Sequence, residues 1–411
     1  MAYHSSSYFT AYSSTGGCRV EIAKRLGRVA VHVLQRESCK STIENRVISC
    51  GGKMSRSSLL CNSCCIFTET EDQLGRVKDL IQRTGVPKMY GGSGTENEGA
   101  EFDLHYASIE VIAKEGMCRT KWGCGSFDPS SYFKLLRTQA MGRTLLSSEE
   151  TVSTQTALQR NAGNLPAGIL FVSDRQVGGK GRGGNVWSSP DGCVMFSLMH
   201  TFKGAGQRLP FVQYIVSLAI VHTVQSLAAL KTRSIPSCHD RGLLNIRIKW
   251  PNDLYDGESG LKIGGILCHS AFRDAIFQVT IGIGLNVSNQ EPTTCLNDML
   301  RLYAGTRDVE VFTREEIVAG VANRLEGMLE TLAVHGFSGF ESEYYAAWLH
   351  SGQEIRTQCD SDMDRYEQVK IIGLSQDGYL LASNESGHRF ELHPDGNSLD
   401  FMNGLLRKKV N

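Results

Sequence analysis

The sequence predicts an α+β fold, a largely antiparallel sheet flanked by helices, and three observations predict it. Lys262 to Phe272 and Ala275 to Val287 are apolar, β-prone runs that meet at Arg273-Asp274, the pattern of a long hairpin. Leu209 to Leu230 carries apolar residues at 212, 215, 216, 219, 224, 227 and 228, a helical spacing whose stripe should lie against the sheet. Near the end, Val369 to Ile372, Gly378 to Ser383 and His388 to Leu392 are short runs separated by Gly and Asp turns, the composition of a small β-barrel. Helices set beside an antiparallel sheet are not the layout of a dinucleotide-binding α/β fold.

Taken in order, residues 1–60 are rich in Ser and basic side chains and poor in acids, which reads as a disordered transit peptide for a plastid or mitochondrion rather than as folded structure. Met54 offers a second start, from which a cytosolic form is expected. Residues 61–100 form a linker region, with a short helix at Gln73 to Arg83 and a flexible stretch, GGSGTENEG, at Gly91 to Gly99. A main domain follows over 101–350, with its core at 143–290, and a small C-terminal domain over 351–411. Within them the reading gives a strand at Ser108 to Ala113 and a helix after Asp128-Pro129, where proline suits a first turn. A strand then spans Arg143 to Ser153, a helix Ala157 to Asn161, and strands Gly168 to Asp174 and Cys193 to Met199. Asn245 to Lys249 is a strand that Pro251 stops, because proline cannot donate to a ladder. Asp256-Gly257 turns the chain towards the long hairpin. Thr313-Arg314-Glu315-Glu316 is a capping box opening a helix to about Val334, and a second helix covers Ser338 to Leu349.

Bulk composition narrows the function classes. The 411 residues carry a formal net charge of zero and a pI of about 7.1. That balance gives no reason to expect nucleic-acid or anionic-membrane binding, and no winged-helix pattern precedes the core. No apolar run approaches the ~20 residues of a membrane span. Thirteen cysteines are scattered and odd in number, which argues against a secreted disulfide framework. Cys61, Cys64 and Cys65 cluster, but Cys118 and Cys124 make no matching zinc pair, so no metal site is expected from the protein itself.

The chemistry sits in FVSDRQVGGKGRGGNVW, Phe171 to Trp187. Glycines at 178, 179, 181, 183 and 184 let backbone N–H groups approach an anion, Lys180 and Arg182 supply counter-charge, and Trp187 offers a flat face. A mobile solvent loop would read the same way. In IKWPNDL, Lys249 stands at a strand end where it can reach a polyphosphate while Asn252 and Asp253 orient it; Pro-Asn-Asp is also ordinary turn chemistry. KIGGIL, from Lys262, and GIGLN, ending at Asn286, are strands broken by glycine, which marks close approach of a ligand or tight strand packing. Ser153-Thr154-Gln155-Thr156 is a polar segment that equally makes a helix N-cap.

Together these motifs resemble the biotin protein ligases, also called holocarboxylase synthetases. Gly179, Lys180, Gly181, Arg182 and Trp187 fall on the marked positions of the family's GRGRxxxxW loop, KWPND is its second hallmark, and KIGGIL and GIGLN are its third and fourth. The match spans about residues 145 to 290. YYAAWLHSG (Tyr344 to Gly352) and ELHPDGNSLDF (Glu391 to Phe401) resemble plant-type members. Two positions depart: Lys180 stands where many members have Arg, which keeps charge and loses the bidentate fork, and Gln155 replaces the commoner Asn.

The resemblance implies a core related to class II aminoacyl-tRNA synthetases with a C-terminal SH3-like barrel. It implies activation of biotin by ATP, with Mg²⁺ entering with the nucleotide, to biotinyl-5′-AMP. Biotin then passes to one lysine of a biotin carboxyl carrier domain, as in acetyl-CoA carboxylase. Lys249, Arg182 and Lys180 would be the catalytic cations. Ser153, Thr154, Gln155, Gln176, Gly181 and Gly265 would bind biotin with them; Gly179, Trp187, Asn252, Asp253, Lys262 and Asn286 would bind ATP or the adenylate. Two other readings stay open at this point, a lipoate or octanoate ligase of the same fold and a non-catalytic biotin-binding module.

Overall fold

The computed structural model describes residues 126–162, 165–273, 275–289, 291–359 and 362–393. It also gives the backbone of six further strands, four N-terminal and two C-terminal to these. Two of those strands, Val20–Ile22 and Val31–Leu34, fall within the leader expected to be unfolded, and Ser63–Thr68 falls within the expected linker region; the Gln73 to Arg83 helix and the Gly91 to Gly99 linker lie outside the described residues. The chain divides into two compact units. The first comprises Met1–Gly179, Val186–His200 and Arg314–Ala319, and the second Lys180–Asn185, Thr201–Thr313 and Gly320–Asn411.

In the first unit the sheet runs in the order β1-β2-β4-β3-β5-β6-β9. These strands are β1 Val20–Ile22, β2 Val31–Leu34, β3 Ser63–Thr68, β4 Ser108–Ala113, β5 Thr144–Thr151, β6 Leu170–Gln176 and β9 Cys193–Phe202. β5 and β6 are parallel, with Leu145 opposite Leu170. A parallel pair needs a crossover, and helix α2, Thr154–Arg160, lies within it. Leu145, Leu146, Phe171, Val172, Val194, Phe196 and Leu198 are all buried at the sheet's centre. The expected strand Arg143 to Ser153 stops at Thr151 for a local reason: Ser153 is the N-cap of α2, its hydroxyl accepting from the Thr156 amide at 3.3 Å. Helix α1, Pro129–Leu135, starts as expected with proline in its first turn and the Asp128 carboxylate accepting from Ser130 N at 3.0 Å. Arg314, which opens helix α5 (Arg314–His335), donates to Asp174 at 2.7 Å, and Glu315 accepts from the Asp128 amide at 2.7 Å. The start of α5 is thereby tied to β6 and to the head of α1.

The second unit holds a four-stranded antiparallel meander of β10 Ile246–Lys249, β11 Asp253–Asp256, β12 Lys262–Arg273 and β13 Ile276–Asn286. The long hairpin β12-β13 is the one the sequence predicts. β11 was not expected; Pro-Asn-Asp reads as a turn, but the turn ends at Asn252 and Asp253 already pairs with Lys249. Helix α3, Val212–Thr232, departs from its predicted stripe. Tyr214 to Val221 are buried without a break, so the first half of α3 is enclosed on nearly every side, while Leu230 near its end is exposed. With the 3₁₀ turn before it, Gly206–Thr232 is also long and apolar enough to cross a membrane by length and composition, contrary to expectation. However, 72% of its most apolar window is buried inside the molecule, the situation of a core helix.

Helices α4, Leu296–Ala304, and α6, Glu341–Ala347, complete the helical part. The predicted Ser338 to Leu349 helix is a 3₁₀ turn followed by α6. The C-terminal strands are β14 Glu354–Cys359, β15 Asp362–Leu374, β16 Leu380–Ser383, β17 Arg389–Leu392, β18 Asn397–Asp400 and β19 Leu405–Lys408. They form a six-stranded sheet ordered β17-β16-β15-β14-β19-β18, parallel only at β14-β19 and compatible with an SH3-like domain.

Candidate active site

Two groups of the sequence-predicted residues emerge, each within one unit. In the second unit the ends of β10, β11 and β12 bring four of them onto neighbouring strands. Lys249 pairs with Asp253, Asp253 pairs with Gly265, and the Lys262 ammonium lies 2.7 Å from the Asp253 carboxylate. The Lys249 ammonium sits 5.7 Å from the Tyr255 ring centroid, within cation–π reach. Asn252 has a structural task here: its amide donates to Ile266 O at 2.8 Å while its own carbonyl accepts from Ile266 N at 2.9 Å. Asn286 is buried, and its Nδ2 donates to Thr293 Oγ1 and Thr294 O, both at 3.0 Å; Thr293 Oγ1 in turn donates to Lys262 O at 2.6 Å. The loop 293–294 is so fastened to the start of β12. At Gly264 a Cβ would strike the Leu285 side chain and come within 3.0 Å of Gly284 O, so this glycine serves tight strand packing.

The glycine loop is built for exposure at its tip. Gly179–Lys180 (β7) and Val186–Trp187 (β8) form a two-stranded ribbon. Gly181 N donates to Asn185 O at 2.7 Å, and Gly183 and Gly184 take positive φ of 62° and 82°, which glycine alone adopts at little cost. Arg182 acts electrostatically on the Tyr214 phenol. That hydroxyl donates to Gly378 O at 2.5 Å and accepts from the Trp250 indole Nε1 at 2.8 Å. The Trp250 indole, next to Lys249 in the chain, thus bonds a buried tyrosine on which the Arg182 charge also acts.

The first unit gathers the other group. Thr154 donates to Gln176 Oε1 from its amide at 2.7 Å and from its hydroxyl at 3.2 Å, and its hydroxyl lies 2.8 Å from Ser197 Oγ. Ser153, Thr154, Gln155 and Ser197 are all buried. Polar side chains in an interior must be hydrogen-bonded to be tolerated, and such a cluster suits a ligand with its own amide-like donors and acceptors. A Cβ on Gly179 would lie 2.7 Å from Trp187 O and 3.5 Å from Gln176 Nε2, so that glycine, the tryptophan and the glutamine stand side by side.

Comparison with known proteins decides the family. A family model described as the biotin/lipoate A/B protein ligase family matches residues 147–286. Biotin--protein ligase 2 of Arabidopsis thaliana is 40% identical over 288 residues, 69% of this chain and 83% of the relative. The chain belongs to the biotin–protein ligases. Biotin--protein ligase 1, chloroplastic, of the same plant is 40% identical over 304 residues, 73% of this chain and 78% of the relative. Among solved structures, the biotin protein ligase from Aquifex aeolicus in complex with biotin and ATP aligns with 24% identity and a TM-score of 0.46, over 64% of this chain and 97% of that one. As a biotin–protein ligase the chain is an enzyme of the ligase class, EC 6.3.4.-.

Sequence reasoning named no role for His350. It is fully buried, accepts from the Trp250 amide through Nε2 at 2.9 Å, and donates from Nδ1 to Gln353 Oε1 at 2.8 Å. Burial pushes its pKa down to about 4, against the pull of Gln353 and with the help of the Lys249 charge. A lowered folded value means that the unfolded chain binds this proton first. The contribution is complete above about pH 6.5 and is lost as pH falls towards about 4, on the order of 3 kcal/mol. Denaturant midpoints at pH 7 and 4.5 should therefore fall further for the native protein than for His350→Gln; equal falls would refute the assignment. Among the described residues no group of three or more His, Cys, Asp or Glu is placed to hold a metal ion.

Proposed function

We propose that this chain activates biotin with ATP to biotinyl-5′-AMP and passes the biotinyl group to one lysine of a carboxyl carrier domain, with the residue roles that follow. In the first step the biotin carboxylate attacks the α-phosphate and pyrophosphate leaves. In the second a lysine ε-amine attacks the mixed anhydride and AMP leaves. Both steps gather anionic oxygens, so catalysis is positioning and charge neutralisation rather than side-chain nucleophilicity.

Lys249 stabilises charge at the α-phosphate and the biotin carboxylate. Lys180 and Arg182 clamp carboxylate and phosphate, with Gly181 admitting a close backbone approach. Trp187 packs on the adenine beside Gly179, and Asp253, Lys262, Asn252 and Asn286 shape the adenylate-binding strands. Ser153, Thr154, Gln155, Gln176 and Gly265 face biotin. Mg²⁺ enters with ATP, since it keeps waters and substrate phosphates as ligands. The reading is carried by the hallmark lysine standing at the end of a strand whose neighbours present Asp253, Lys262 and Gly265.

The test is ATP-dependent transfer of biotin to a purified carboxyl carrier domain, with mass detection on one lysine. Lipoate in place of biotin should release little pyrophosphate, and transfer of lipoate alone would overturn the assignment. The basic leader and the chloroplastic relative support delivery to a plastid or mitochondrion. Residues 1–60 fused to a fluorescent reporter should carry it into the organelle, and a purely cytosolic signal would reject this.

A further inference from the structure

The Lys249 end of β10 is held from outside its own sheet. β10 is the outer strand of the meander, and residues 346–350 run along its other edge. Ile248 bridges Trp348 in parallel, Leu349 N donates to Ile248 O at 2.9 Å, and the Arg247 guanidinium donates to Ala346 O at 2.7 Å. The last link is the bond from the Trp250 amide to the His350 imidazole, across 100 residues of chain. A backbone N–H only donates, so Nε2 must offer its lone pair and the proton must sit on Nδ1. Gln353 accepts that proton, and its own backbone is fixed on both sides: Gln353 N donates to His350 O at 3.0 Å and Ile371 N to Gln353 O at 2.8 Å. One ring thus joins the residue after Lys249 to the C-terminal sheet. Trp250 and His350 are both buried, so the amide needs an acceptor from the protein itself, and the imidazole supplies it.

We infer that His350, locked as the Nδ1–H tautomer by Gln353, is a positioning residue for Lys249: it holds the Trp250 amide just past the end of β10 and so fixes where the ammonium points. The inference rests on the role given to Lys249 above. It concerns turnover rather than affinity, since misplacing a group that neutralises transition-state charge slows the chemical step by about 10- to 100-fold.

ATP–pyrophosphate exchange with the full-length protein tests it, with kcat and both KM values measured beside the unfolding midpoint. His350→Leu keeps the volume and removes the acceptor; kcat should fall at least about tenfold while KM for biotin and ATP stays within about threefold. His350→Gln, which places an amide oxygen near the Nε2 position, should recover most of that loss. Should His350→Leu fail to fold, Gln353→Leu carries the test, because it frees the ring to take the other tautomer and turn a proton towards the Trp250 amide. Full kcat in the leucine variant, or equal damage in leucine and glutamine variants, would overturn the inference. Lys249→Ala run in parallel separates the two ideas. If it is defective while the His350 variants are normal, only the positioning role fails; if it is itself active, the reading of Lys249 fails.

Discussion

Lys249→Ala should lose ATP–pyrophosphate exchange by a factor of ~10² or more, with little change in folding. The expectation follows from what the ammonium does and does not hold together. Its strand is secured by other groups, through the ladder to β11, the bridge of Ile248 to Trp348 and the Trp250 bonds. Asp253 keeps its partner in Lys262. Removing the charge therefore subtracts stabilisation of the gathering phosphate and carboxylate oxygens and leaves the scaffold standing. Near-normal exchange, or a loss matched by a lowered unfolding midpoint, would count against a chemical role.

Arg182→Ala should weaken biotin binding and let the adenylate escape. A charge-assisted hydrogen bond to a carboxylate or phosphate is worth about 1.5–3 kcal/mol, so the KM for biotin should rise roughly 10- to 100-fold. Within the loop that carries Arg182, Gly181 N donates to Asn185 O at 2.7 Å and Asn185 N to Arg182 O at 3.2 Å, and its two arms pair as β7 and β8. Loss of the grip should leave the loop unable to exclude water from the anhydride, giving AMP without transfer. An unchanged KM with no leakage of adenylate would contradict this.

The parts of the fold legible in the sequence are those whose cause is local. Pro129 after Asp128 and the Arg273 corner between two apolar runs each carry their own instruction and stand where the sequence puts them, while the cap at Ser153 starts α2 at Thr154, three residues before the expected Ala157. β11 escaped because its first residues double as a turn signal and its strand character comes from the partners on either side. The stripe assigned to α3 was too narrow because burial on the remaining faces is decided by distant elements such as Gly378, which Tyr214 reaches across 164 residues. The site divides in the same way. Lys249, Arg182 and the glycines announce themselves by composition, whereas His350 is one histidine among eleven until the Trp250 amide is seen to need it.

The Trp250 amide finds its acceptor at His350, 100 residues later, while its indole donates to Tyr214, whose hydroxyl in turn donates to Gly378 O. A chain cut before residue 346 would carry the hallmark motifs and keep β10 paired with β11, yet leave the Trp250 amide without its buried acceptor. On the positioning role inferred for His350, a protease that removes residues 346–353 should slow the chemistry without touching the motifs.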